Sequence, residues 1–192
     1  MMYHDQHKSY PPAVINDEHG VPMHSWRAIL LPYFEDKELQ KLGKQYRFDE
    51  PWNGPNNRQL LQKAPAIFRC PNDRDSPGET SYLAVIGSET MWRGTKPIRI
   101  REIDDGIHKT IAVVECSDSG INWLEPRDVT FNDATDGINK LTDRPGVHSD
   151  HVGGAMVLMS DGAVHFLSDD IKPETLRALL TPAGGEDVDI PE

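Results

Sequence analysis

The sequence predicts an α+β fold, and three observations carry that prediction. Helical apolar spacing is confined to the stretches before residue 64 and after residue 172. Between them lie short β-branched runs bounded by Gly and Asp, the pattern of buried strands. Near the C-terminus, two apolar runs flank Asp161-Gly162, a dipeptide that can supply the positive φ angles of a tight hairpin. The expected architecture is a set of short N-terminal helices packed on an antiparallel β-sheet, with many loops.

Taken in order, the polar segment Met1 to Ser9 reads as the last turn of a preceding element, because Tyr10-Pro11-Pro12 forces an extended exit. Ser25 is a candidate N-cap for a helix carrying Trp26, Ile29, Leu30 and Tyr33 on one face. Pro32 breaks or bends it before Glu35 to Tyr46 resumes. Gly54-Pro55 predicts a further helix over residues 56–63, anchored by Leu60 and Leu61 and stopped by Pro65. The period then changes. Residues 81–86 and 110–115 read as strands, and residues 153–167 as a hairpin closed at Asp161-Gly162. Pro173 opens a last helix whose Leu176, Leu179 and Leu180 form one stripe. The acidic tail from Glu186 is expected to fray.

At 192 residues the chain is expected to be one domain, 1–192, with residues 1–12 and the acidic tail 186–192 as its terminal segments. A formal net charge of −11, with no run of Lys or Arg, opposes phosphate backbones and anionic lipid, so neither nucleic acid nor a membrane surface is an expected partner. No stretch reaches the roughly 20 apolar residues that span a bilayer. Cys70 and Cys116 fit neither a Cys-x-x-Cys redox pair nor a zinc knuckle; one disulfide and two reduced thiols are both compatible with their placement.

The tightest candidate for chemistry is His148, Asp150, His151 and then Asp161, an imidazole and carboxylate mix able to ligate a transition metal. Such a site would make the protein a metal-dependent hydrolase or, with Trp26, Trp52, Trp92 and Trp123 as a platform, a carbohydrate-binding domain. The pair His148 and His151 nevertheless lies in a Pro-Gly-Ser-rich loop and lacks the Glu of a His-Glu-x-x-His helix. The blander expectation is that His151 uses its ring nitrogens to tie its loop to the hairpin backbone, while Asp161 serves the turn. Asp104-Asp105-Gly106 lacks the further ligands of a calcium loop and reads as a turn. His4, Asp5 and His7 read as a solvated helix end. Glu115 closes an apolar strand, and burial there would require a partner. Nucleophile-elbow, phosphate-loop and dinucleotide fingerprints are missing, so no catalytic, cofactor-binding or metal residue is assigned.

Several blocks, in order, resemble one known family: Tyr3-His4-Asp5 with Tyr10-Pro11-Pro12, His24-Ser25-Trp26-Arg27 with Leu31-Pro32-Tyr33, Phe48 to Trp52, Phe68-Arg69-Cys70-Pro71, Thr80-Ser81-Tyr82, Ile103 to Gly106, and finally His151, nine residues, then Asp161-Gly162. They look like the prepilin-like proteins abundant in planctomycetes, a domain of unknown function numbered 1559. The resemblance implies a pseudopilin-like α+β domain displayed outside the cytoplasm, in the periplasm or at the cell surface, and a non-enzymatic structural or binding role in a type II secretion or pilus-type apparatus with protein partners. His151, Asp161 and Gly162 would be its structural family motif. No cofactor is implied, although some pseudopilins depend on calcium, which an acidic loop here could hold for stability. Family members usually carry an N-terminal apolar anchor helix. This chain begins at what resembles the stretch after that helix, so it is expected to be the soluble domain, cut from the anchor or naturally without it. Ile107-His108-Lys109 departs from the more polar stretch usual after the family's Asp-Gly.

Overall fold

A computed structural model describes residues 2–73, 76–140 and 144–191; Met1 and Glu192, the outermost residues of the two terminal segments, lie outside the described residues. The opening segment is a short helix, α1 (Met2–His7). A two-stranded antiparallel sheet follows, β1 (Val14–Asn16) with β2 (Pro22–Ser25). Ser25 then caps α2 (Trp26–Leu30), its hydroxyl accepting the Ala28 N–H. Pro32 turns the chain into a 3-10 segment at Leu31–Tyr33, and Asp36 caps α3 (Lys37–Gln45) by accepting from Glu38 N and Leu39 N.

The helix expected over 56–63 is instead a single 3-10 turn at Asn57–Leu60. The Glu50 carboxylate accepts the Asn56 and Asn57 N–H groups, and the buried Asn57 amide donates to the carbonyls of Arg47 and Pro51 while accepting the Arg47 N–H. Side chains thus satisfy the backbone groups that a helical ladder would otherwise pair.

The main sheet is built from β3 (Tyr82–Ile86), β4 (Ile111–Glu115), β5 (Val129–Thr130), β6 (Gly154–Met159) and β7 (Val164–Ser168), with α4 (Phe131–Thr135) after β5 and α5 (Pro173–Leu180) last. Its order is β5-β3-β4-β6-β7. The β5–β3 pair is parallel and the rest antiparallel, so the sheet is mixed where a wholly antiparallel one was expected. Two residues are too few for β5 to leave a periodic signal.

Because successive strand residues alternate faces, the sheet has two cores. On one face Leu83, Val85, Val114, Val157 and Leu167 pack under α4 and α5. On the other, Ala84, Ala112 and Val113 meet Trp26, Leu31, Trp92 and Trp123. Trp26, Trp92 and Trp123 are therefore core residues, and each ring N–H is spent internally, on Asp128, on the Ala112 carbonyl and on the Leu60 carbonyl.

At the hairpin only Gly162 takes a positive φ, 96°. Asp161 acts through its side chain, Oδ1 accepting the Ala163 N–H at 2.8 Å. The tail from Glu186 does not fray as expected: Val188 and Ile190 pack against the core while Asp187 and Asp189 lie 3.2 and 3.5 Å from Lys109 Nζ. Its alternating acidic and apolar residues give the segment one edge for each environment. Among the described residues no helix is long and apolar enough to cross a membrane.

One buried ion pair joins the N-terminal helices to the sheet. Arg27 Nη1 donates to Asp128 Oδ1 at 2.6 Å, both side chains almost wholly buried, while Nε and Nη2 donate to the carbonyls of Trp123, Glu125 and Arg127. Removing one member strands the other, so Arg27→Met should cost about 3–5 kcal/mol. In urea denaturation the double variant Arg27→Met/Asp128→Asn, which leaves no buried charge, should recover part of that loss.

His24 is buried against Tyr46 and Phe48, with Nδ1 2.8 Å from the Tyr46 hydroxyl, and burial holds its pKa below the usual imidazole range. The unfolded chain then takes up a proton that the folded chain resists. This contribution to stability is complete above about pH 6.5 and is lost as the pH falls below it. Urea midpoints should accordingly drop between pH 7.5 and 5.5, with a smaller drop in His24→Gln.

Candidate functional site

The structure does not bring His148, His151 and Asp161 together. His151 precedes β6 and Asp161 follows it, and six strand residues at about 3.3 Å each hold them about 20 Å apart. His148 pairs by its backbone with the end of β4, its N–H donating to the Glu115 carbonyl and its carbonyl accepting the Ser117 N–H. Asp105 uses its carboxylate to accept the Gly184 and Gly185 N–H groups, so the Asp104-Asp105-Gly106 segment is a turn that ties down the C-terminal loop.

His151 differs from expectation. Its ring does not brace the hairpin backbone; the Tyr10 hydroxyl, donating to the Ser160 carbonyl, and the Ile107 carbonyl, accepting the Asp161 N–H, do that. The ring instead faces three side chains. Nε2 lies 3.5 Å from Cys70 Sγ and 3.7 Å from Glu115 Oε1, while Nδ1 lies 3.1 Å from Asn72 Nδ2. Among the described residues, Cys70, Glu115 and His151 are the one group of three such side chains whose donor atoms converge, all within 4.8 Å.

Three separate stretches position them. Cys70 opens a turn in which Asp73 N–H donates to the Cys70 carbonyl, and its own N–H donates to Ser81 Oγ just ahead of β3. Glu115 ends the central strand opposite Tyr82, so the two side chains share the sheet face of the second core. Its Oε2 accepts the Met156 N–H at 2.8 Å; its Oε1, buried, has no hydrogen-bond partner. His151 is set by its N–H donating to Ser149 Oγ, and a third of its side chain reaches solvent. Cys70 and Cys116 are both buried free thiols, and Cys116 belongs to the opposite core.

Burial, with the Glu115 carboxylate beside it, pushes the Cys70 thiol up to about 11. Burial likewise raises Tyr82, next to Cys70 and Glu115, to about 12. These shifts bear on what the cluster can do. Cys70 on Nε2 and Asn72 on Nδ1 reproduce the connectivity of a thiol nucleophile, but that chemistry needs a thiolate, and a neighbouring carboxylate opposes one. Glu115 also approaches the same ring nitrogen as the thiol, whereas a relay acid belongs on the other.

A family model described as a protein of unknown function, DUF1559, matches residues 1–128 and 125–174. The chain belongs to that family. The matched stretches of this DUF1559 chain include Cys70, Glu115, His151, Asp161 and Gly162. No curated protein and no solved structure matches it.

The sequence marks Glu115 as a buried acid in need of a partner, and Cys70 as one of two cysteines, reduced or joined in a disulfide, and as part of a block of the resemblance. Nothing in the spacing joins either to His151. In the chelator-treated DUF1559 protein, alkylation of Cys70 at pH 7.5 should run about two orders of magnitude slower than that of an unburied thiol, because the thiolate fraction falls with the raised pKa. Mass spectrometry of iodoacetamide time courses would read it; rapid labelling would reveal an imidazole-activated nucleophile.

Proposed function

We propose that this chain is a non-enzymatic, pseudopilin-like structural or binding module, displayed outside the cytoplasm and serving protein partners in a type II secretion or pilus-type assembly. The ordered blocks that resemble prepilin-like proteins support the reading. The observation that carries it is an apolar groove of about 440 Å³ between α1, α2 and the sheet, lined by Tyr3, Tyr10, Trp26, Tyr33, Trp92 and Leu158.

The groove runs toward the edge strand β7. Leu158 pairs with Val164 and Met156 with Phe166, so these side chains share one face, and Val164 and Phe166 are 59% and 44% exposed. A contiguous apolar face at a sheet edge fits a hydrophobic helix of a protein partner. It suits carbohydrate poorly, since the tryptophan N–H groups that a sugar would use are already bonded inside the fold. A phosphate backbone finds no matching charge there, since the lining carries the acid Glu35 and no Lys or Arg.

Val164→Asp and Phe166→Asp, at exposed positions, should leave the melting temperature within a few degrees yet abolish binding to purified pseudopilins of the same cell, measured by titration calorimetry. In spheroplasts, added protease should digest the protein while the inner membrane stays intact. An unaltered chain that binds no pseudopilin and is protected from the protease would overturn the proposal.

A further inference from the structure

The cluster at the far end of β4 carries an inference independent of any role in an assembly. We propose that Cys70, Glu115 and His151 form a mononuclear site for a zinc-class divalent ion, with a fourth coordination position facing the depression lined by Ala64, Ala66, Arg69 and Asp73.

Geometry is the first argument. Sulfur, nitrogen and oxygen ligands at about 2.0–2.3 Å from a tetrahedral ion lie about 3.3–3.6 Å from one another. The Sγ to Nε2 distance is 3.5 Å and Nε2 to Oε1 is 3.7 Å, so two edges already approach those of such a tetrahedron, and all three donor atoms lie within 4.8 Å of one another. A thiol, an imidazole and a carboxylate are also the donor mix that a borderline-soft divalent ion prefers.

Glu115 is the second, independent argument. Its side chain is wholly buried, and Oε1, the oxygen turned toward Cys70 and His151, has no hydrogen-bond partner. A carboxylate removed from water needs compensation, and beyond one backbone N–H on Oε2 only the Cys70 thiol and the His151 ring stand beside it. Asp73, at the rim, adds a second buried oxygen without a partner and more negative charge. A divalent cation placed between the three donors compensates the Glu115 carboxylate, displacing the thiol proton to solvent as the Cys70 sulfur becomes a bound thiolate.

The neighbourhood suits a ligand role for His151 Nε2. Asn72 faces Nδ1 at 3.1 Å, and a half-turn of its amide presents Oδ1 to accept an Nδ1–H, leaving the Nε2 lone pair free for the ion. The exposed third of the ring gives an entry path. Bound there, the ion would fasten the Cys70 turn and the loop ahead of β6 to the end of the central strand.

The rival account is a His151–Glu115 ion pair with the thiol as a bystander, and cobalt separates the two. Reduced, metal-free protein titrated with Co²⁺ should take up one ion per chain and develop a thiolate-to-cobalt charge-transfer absorption. Cys70→Ser should abolish that absorption, and Glu115→Gln and His151→Gln should each weaken binding at least tenfold. Cys116→Ser, on the opposite core, and His148→Gln should leave it unchanged. Circular dichroism would check that each variant folds, and His151, a third of whose side chain reaches solvent, gives the decisive variant should Cys70→Ser fail to. A titration without the thiolate absorption, its persistence in Cys70→Ser, or an affinity indifferent to His151→Gln would overturn the site.

Discussion

The buried Arg27–Asp128 pair is the constraint on which one whole side of the sheet depends. Every guanidinium nitrogen is engaged, and its partners come from β3 and from the 123–128 loop. Asp128 in turn accepts the Ala84 N–H and the Trp26 indole N–H, so one carboxylate oxygen joins a strand, a helix and a loop. In a low-dielectric interior such a pair is costly to half-remove and specifies a single arrangement of the elements it touches. Its effect extends to the cluster. Arg27 Nε fixes the Trp123 carbonyl, the Trp123 ring stacks on Phe68, and the Phe68 carbonyl accepts the Ser81 N–H while Ser81 Oγ accepts the Cys70 N–H. Cys70 is thus held by a series of contacts that begins at a charge pair elsewhere in the core.

Local signals proved legible where the physics is local. Ser25 caps the helix it precedes, Pro32 interrupts the helical stretch, and Pro173 opens the last helix, because a cap or a proline acts within a single turn. The strands around Leu83 and Val113 were legible because burial on both faces selects β-branched runs. The turn at Asn57 was not. Glu50 and Asn57 replace the helical ladder with side-chain bonds, and composition alone does not reveal which backbone groups they will reach. His151 was flagged as a ligand type yet given the wrong neighbours. Its loop lies beside the Cys70 turn only because His148 pairs with the end of β4, a long-range pairing that leaves no period in the sequence.

The two features of interest occupy one sheet face and differ in chemistry along a single strand. Toward the start of β4, Ala112 and Val113 line the apolar groove with Trp92 and Leu158. At its end, Glu115 turns the same face polar. The groove offers area and shape with Glu35 as its one acid, which suits an apolar protein segment. The cluster offers converging donors and almost no area, which suits a single small ion. Changes at one end can therefore be made without disturbing the other.

Glu115 is what makes the second feature more than a coincidence of neighbours. A five-residue strand buried at every position would be most simply ended by another Val or Ile, which would pack without desolvating a charge. A carboxylate there serves the Met156 N–H with one oxygen, and a neutral side chain could do that as well. The remaining oxygen is turned, buried and unbonded, to where a thiol and an imidazole also point. Packing explains the strand and hydrogen bonding explains Oε2. The proposed cation, at the point where the three side chains converge, accounts for why an acid, rather than its amide, completes the arrangement.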